Sequence, residues 1–441
     1  MNHFTVDATR SLPGPPWLAE RRAEAAERFA AAEPPTTAAE EWRYSAIADF
    51  DLSSYRLANG AAAATAATGS GAGDIVGFDE SAATAVVDVV DGQVAAVDGI
   101  DKLAAAGAFV GPLTEAAGAE ALLGSVSDGA SDYFTVLNDA FSPVPLVVDV
   151  PDGVILDGVV VVRHHAREAG AASFPRLVVR VGRGAQAAVL DVQHSDGPAL
   201  VVPVVELDVG PAGRLGYLNL QQHDPRAWQI AAHTARVQRD ASLVAASVAL
   251  GGGYARTRAD TRLVGRGASG DLLSVYFGAG DQILDFRTYQ DHAAPDTTSN
   301  LLYKGAVGDS ARSVYTGLIR VRPDARGTNA FQTNRNLKLS DDAWAESVPN
   351  LEIENNDVRC SHASAVGPVD PDQVFYLESR GVPTPVAERL IVAGFFDEVI
   401  DKLPVRSVGE GVRQALYVKL NKMLSQPVDA MNAGAVPRRS E

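Results

Sequence analysis

Apolar and polar positions change their spacing as the chain runs, and each change marks a new kind of element. The stretch PPWLAERRAEAAERFAAAE sets proline before a run of Ala, Glu and Arg, all strong helix formers, and predicts a helix. PTTAAEEWRYSAIADF follows, where Thr37 with Glu40 three residues later has capping-box spacing. Residues 59–74, NGAAAATAATGSGAGD, are small, polar and glycine-rich, the composition of a linker. Residues 75–144 mix short strand patterns, ATAVVDVVDG and QVAAVDGI, with alanine-rich helical stretches, as in a small α/β lobe.

From about residue 145 the texture becomes short valine-rich strands between Gly, Asp and Pro turns. A repeat lies there. Related segments open at Val181, Val209, Val237 and Val264, with offsets of 28, 28 and 27 residues. Each runs turn, strand, turn, strand, and the middle turns read SDGP, HDPR, LGGG and GAGD. Val321 lies 57 residues beyond Val264, about two periods, and Val348 a further 27. A fixed period of this size predicts stacked units, each burying its apolar side against the next, in a β-solenoid. A long antiparallel meander would give similar spacing.

After residue 368 the period turns helical. Asp370-Pro371 opens DQVFYLESRG, with Gly381 suited to the stop. Thr384-Pro385 opens VAERLIVAGFFDEVIDKL, where Val386, Leu390, Ala393, Phe396, Ile400 and Leu403 fall on one side of a helix. Ser407 with Glu410 offers a second capping box before GVRQALYVKLNKML. The expected organisation is an N-terminal helical region (1–58), a linker (59–74), an α/β lobe (75–144), a solenoid core (145–367), a helical domain (368–426) and a loose tail (427–441).

Composition narrows the function classes. A chain of 441 residues exceeds one ordinary core, so several structural units are expected. A net charge of −17 repels nucleic acid and anionic membranes. The 7% aromatic content suits a core of Val, Ala and Leu ladders. A single cysteine excludes a disulfide framework and suggests a reducing compartment. MNHFTVDATRSLPGPPW has no apolar core of a signal peptide, and no apolar run has membrane-spanning length, so a cytosolic location is expected.

The motifs that carry chemistry are few. GRGASG at 265–270 matches G-x-G-x-x-G but precedes a strand pattern at a repeat boundary, so its glycines read as turn residues. There is no P-loop, no HExxH, no Cys-x-x-Cys and no Gly-x-Ser-x-Gly elbow, and no catalytic residue is expected. His164 and His165 are adjacent in a strand and face opposite ways. His194 and His223 fall at nearly one offset in successive units, which reads as a strand-to-turn corner and not as a metal site. Cys360 and His362 lie at offsets 12 and 14 of the last unit, at that same corner by count. In an extended strand they share a face, and thiol and imidazole would point outward together. The bland alternative is a small buried hydrophobe beside a corner histidine.

Three stretches resemble the SufB/SufD family of iron–sulfur cluster assembly proteins. They are PNLEIENNDVRCSHASAVGPVDPDQVFYLESRGVP, EEWRYSAIADFD (40–51) and QDHAAPDTTSNLLYKGAVGDSARSVYTGLIRV. The likeness runs from Pro35 to about Leu424. SufB proteins are usually longer and carry more cysteines, so the SufD branch is the better match. The resemblance implies a mainly β fold: a right-handed parallel β-helix between an N-terminal helical and α+β region and a C-terminal helical domain. It implies a scaffold, not an enzyme, that pairs with SufB and binds the ATPase SufC. It also implies Cys360 and His362 as ligands at the SufB junction, with a nascent Fe–S cluster shared there and none held tightly by this chain alone. The SufC-binding segment would fall in about 368–405, with Phe375, Tyr376, Arg380, Gly381, Phe395 and Phe396 as candidate contacts. The common SHGAT is SHASA here, with Ala363 and Ala365, which alters the expected corner after His362. Two alternatives stand beside this one. RTRADTR (256–262) could be the working face of a solenoid enzyme acting on polysaccharide, or an ordinary solvated face. The chain could also be a SufB-like homodimeric scaffold.

Overall fold

A computed structural model describes residues 3–58, 78–127 and 132–424. The linker expected at 59–74 and the tail expected at 427–441 lie outside the described residues. The fold is mainly β, a parallel solenoid of about 8 turns with helical regions at both chain ends. Successive strands go to opposite sheets, and each pairs in parallel with the strand one coil away. Arg214–Gln222 thus lies between Gln186–Ser195 and Ser242–Ala249. Parallel partners a whole coil apart decide for the solenoid over the meander.

The repeat is the register. Val181, Val209 and Val237 are paired directly across strands. The next partner is Leu263, not Val264, followed by His292, Val321 and Ile353. Val348 pairs with Thr316 and so falls outside the Val321 column. The later coils are longer than the early ones, and a fixed count drifts out of register.

In the early coils both faces of the sheets are covered, which is why those strands read as near-continuous apolar runs. Inside, Val181, Val209, Val237 and Leu263 meet Leu215 and Leu243 from the opposite sheet. Outside, Leu190, Leu218, Leu220, Val248 and Val275 are covered by Val392, Phe396, Val399, Leu416 and Leu420 of the C-terminal helices Thr384–Ile400 and Gly409–Leu424. The N-terminal helix Pro16–Ala31 packs with the helix Tyr133–Phe141 through Phe29 and Phe141.

One end of the solenoid is closed. Ala83–Val90 pairs in parallel with Ile155–Ala166 and antiparallel with Gln93–Asp98. Phe109–Pro112 pairs antiparallel with Leu146–Val150. Leu103, on the helix Ile100–Ala106, is buried with Val110 and Val160 at the end of the interior. The segment expected as a separate lobe at 75–144 therefore extends and caps the solenoid sheets.

Two of the expected helix starts differ. Thr37 and Glu40 cap no helix; short 3-10 turns at Glu40–Trp42, Ile47–Asp49 and Leu52–Ser54 follow. Trp42, Ile47 and Phe50 pack with Phe134 and Trp228, and that packing outweighs local helix preference. Ser407 lies in a 3-10 turn, Arg406–Val408, ahead of the helix Gly409–Leu424. Asp370 does cap its helix, accepting from the Asp372 backbone N–H.

Candidate functional site

The solenoid's other end is open. Trp344–Ile353 and Val358–Gly367 end the two sheets, each paired on one side only among the described residues. Their outer edges present backbone N–H and C=O groups, a template for another strand. Cys360 and His362 lie on Val358–Gly367, opposite Ala330 and Gln332.

The columns beneath these two residues fix their direction. Under Cys360 come Ala330, Ser299, Gly270 and Leu243; under His362 come Gln332, Leu301, Leu272 and Ala245. Leu243, Leu272 and Leu301 belong to the interior clusters. Thiol and imidazole therefore share a face, but it is the interior face, reached only because this end is open. This corrects the expected outward direction. It also corrects the shared corner: His362 stacks in the column of Tyr217, whereas His223 follows the end of the strand Arg214–Gln222. The longer last coils shift the count. No corner follows His362, since Ala363 and Ala365 continue the strand opposite Thr333 and Arg335.

His362 is exposed and Cys360 half-buried. Cys360 packs with Ile319, Val321, Ala330, Leu351 and Val358. Burial pushes the thiol pKa up, partly opposed by a backbone hydrogen bond from Ala330. The ligand form is the thiolate, which a neighbouring metal cation favours.

The helical candidates separate into exposed and buried groups. Phe375 is 71% exposed and Tyr376 57%, unusual for large apolar side chains on one short helix, Pro371–Glu378. Arg380 lies 4.9 Å from the Tyr376 ring, and Gly381, at φ 84°, ends this segment in the left-handed region that glycine tolerates. Val386 and Leu390 extend the exposed apolar surface onto the next helix. Phe395 is half-buried under Lys304, whose Nζ lies 4.6 Å from the ring and donates to the Phe395 carbonyl at 2.8 Å. Phe396 is 1% exposed and belongs to the core against the solenoid. It is a docking residue of this chain, not a surface contact. The apolar stripe read from the sequence divides accordingly: Val386 and Leu390 are open, while Phe396, Ile400 and Leu403 are buried.

RTRADTR is not a simple solvated face: Arg258, Asp260 and Arg262 line a polar cavity of about 270 Å³, while much of the strand's charge is engaged within the chain. Arg256 is buried, bonds Asp285 at 2.7 Å, and donates to the Glu41 carbonyl at 2.9 Å. Arg258 pairs with Asp260 and lies 3.6 Å from Glu41. Arg287 donates to the Arg43 carbonyl. These charges hold the EEWRY segment on the solenoid. Nothing in the sequence joined that motif to these arginines, because Arg256 and Arg287 hold it through backbone carbonyls, which leave no residue signature.

Residues 163–395 match the family described as SUF system FeS cluster assembly, SufBD core domain. An iron–sulfur cluster assembly SufBD family protein of Mycobacterium tuberculosis is 42% identical over 259 residues, 57% of this chain and 65% of that relative. Iron–sulfur cluster assembly protein SufD of Escherichia coli is 29% identical over 246 residues, covering 55% and 57% of the two chains. SufD of Bacillus subtilis is 39% identical over 156 residues, 35% of each. The matched stretches thus span less than two thirds of these relatives' lengths.

Proposed function

The chain belongs to the SufB/SufD family of iron–sulfur cluster assembly, most like SufD, and on that premise we propose that it is the SufD-type scaffold subunit of a complex with SufB and the ATPase SufC. Members of the family are scaffold components of assembly. The observation that carries the proposal is the open terminal rung, where Cys360 and His362 share one face beside two strand edges unpaired among the described residues. A cluster takes four ligands, mostly thiolate, with His as an occasional substitute. This chain offers there one thiol and one imidazole, so a partner's residues complete the set. SufB, docked edge to edge, is that partner, and the nascent cluster is cargo of the junction.

SufC is assigned to the exposed surface of Phe375, Tyr376, Val386 and Leu390. The helix carrying Val386 and Leu390 is anchored on the solenoid by Phe396 and Lys304, so a pull on it is transmitted to the sheet. ATP-driven SufC dimerisation pulls the helical ends of SufB and SufD and opens their junction to iron and sulfide.

Co-expression tests this. Tagged full-length chain should capture SufB and SufC together, and His362→Ala should keep both partners while lowering cluster delivery in cells that depend on this pathway. Capture of neither partner, or full delivery by His362→Ala, overturns the assignment. A self-pairing, SufB-like scaffold would instead develop a stoichiometric chromophore when the isolated protein is reconstituted anaerobically.

A further inference from the structure

The fold gathers at one solenoid corner what the sequence scattered. His165 and His194 are register partners on neighbouring strands, and their rings lie 5.2 Å apart. Asp196, just beyond the strand carrying His194, reaches both: its Oδ1 lies 2.8 Å from His165 Nε2 and 3.6 Å from His194 Nε2.

Proton positions follow from the neighbours. His194 Nδ1 lies 3.0 Å from the Gln222 carbonyl, which can only accept, so Nδ1 carries the proton. In neutral His194, Nε2 then holds a lone pair facing a carboxylate oxygen. Two electron-rich atoms facing each other repel unless a cation lies between them or the ring takes a second proton. A histidine whose far nitrogen donates to a backbone carbonyl is also the usual second-shell arrangement of a metal ligand.

A second observation is independent of this triad. His223 is 4% exposed, and the His194 backbone carbonyl engages at most one of its ring nitrogens, which leaves the other without a partner. It is near enough to His164, His165 and His194 to feel their charge. Asp91, buried and coupled to His165, likewise leaves Oδ2 unpartnered. Buried polar atoms without a partner are costly, and two residues, His223 and Asp91, bring them to the same corner.

We propose that His165, His194 and Asp196 form a binding site for one first-row divalent cation of the zinc and cobalt class. Two imidazoles and a carboxylate are the borderline donor set such ions take, at about 2.0–2.2 Å. The three ligand atoms all lie within 4.8 Å of one another, so small side-chain rotations bring them onto one ion. Asp196 is 51% exposed and His194 37%, leaving an open side for entry and for water ligands. A neutral His165 frees Nε2 for the ion by carrying its proton on Nδ1. The strand of His165 is seven strand spacings from that of Cys360, or about 34 Å, so this site is separate from the terminal rung and does not rest on the scaffold assignment.

The test uses full-length protein, stripped with a chelator and carrying Cys360→Ala and His362→Ala, titrated with cobalt(II). Visible d–d absorption and calorimetry in two buffers of different protonation enthalpy are the readouts. The expected result is saturable binding of one equivalent. His194→Ala and Asp196→Asn should each weaken binding by at least ~100-fold, since outer-shell changes alone cost up to about that. Both positions are partly exposed, and circular dichroism confirms that the variants fold. Absence of saturable binding, or binding unchanged in both variants, would mean an ion pair only and overturns the site.

Discussion

The Arg256 guanidinium lies 4.0 Å from the centroid of the Trp42 ring, joining residues more than two hundred positions apart in the chain. The same side chain neutralises Asp285, which is fully buried. Arg256→Ala removes the cation over Trp42 and leaves the carboxylate to Arg287 and Tyr254. Loss of one partner of a buried pair costs about 3–5 kcal/mol, an upper bound where a second arginine remains. Arg256→Ala should lower the thermal midpoint and open residues 40–55 to limited proteolysis; an unchanged cleavage pattern would refute the docking role.

Phe396 and Leu390 lie on one helix with opposite fates, and substitution should separate them. Phe396→Ala should destabilise by about 3–5 kcal/mol, as for other large-to-small core changes. Leu390→Asp should leave the melting curve within about 0.5 kcal/mol of wild type, the usual range for a surface change, yet abolish SufC capture. Denaturant melts paired with pull-downs read both.

Cys360 should react slowly with iodoacetamide at neutral pH, because burial raises its pKa and lowers the thiolate fraction. Modification should be slower than for a free thiol and slower still once SufB is bound. Cys360→Ala should reduce cluster delivery less than His362→Ala if the thiol mainly packs. Rates followed by mass spectrometry, with and without SufB, check the first point and complementation assays the second.

Acid should weaken the fold before the carboxylates titrate. Burial pushes His233 and His292 down to about 4 from an ordinary 6.5. Between these values the unfolded chain binds more protons than the folded one, so stability is full above pH 6.5 and falls as pH drops toward 4. Each group accounts for a loss on the order of 3 kcal/mol at pH 4. Urea midpoints at pH 7.5 and 5 should differ clearly in the wild type and less in His292→Gln. An equal difference would show that His292 is not among the groups responsible.

Lys419 works in the alkaline range. Burial, with Lys422 nearby, lowers its pKa to about 7, while Nζ bonds the Leu250 carbonyl at 2.5 Å. A lysine depressed in the fold carries its full desolvation cost below pH 7 and loses it as pH rises toward the unfolded value near 10.4. Stability should therefore rise between pH 7 and 9.5. Lys419→Met should flatten that rise in thermal scans.

The solenoid was legible because stacking imposes a sequence period: Val181, Val209 and Val237 recur at 28 residues and are paired in space. The direction of Cys360 and His362 was not, because coil length changes and counting from Val348 lost the register. The His165–His194–Asp196 corner was hidden for a related reason. Histidines at equal offsets looked like repeated turn polarity, while their convergence depends on which residues face each other across coils. Exposure along the helix Thr384–Ile400 was beyond sequence too, since its apolar residues surround more than one face and only docking selects which are covered.

One end of the stack is plugged by antiparallel strands and Leu103, and the other ends in strand edges that are unpaired among the described residues. The two tips are therefore unlike. At the plugged one the outermost strands run against the coil direction, so it offers no parallel rung on which a copy's open tip could continue the stack, and head-to-tail growth into a fibril has no matching surface.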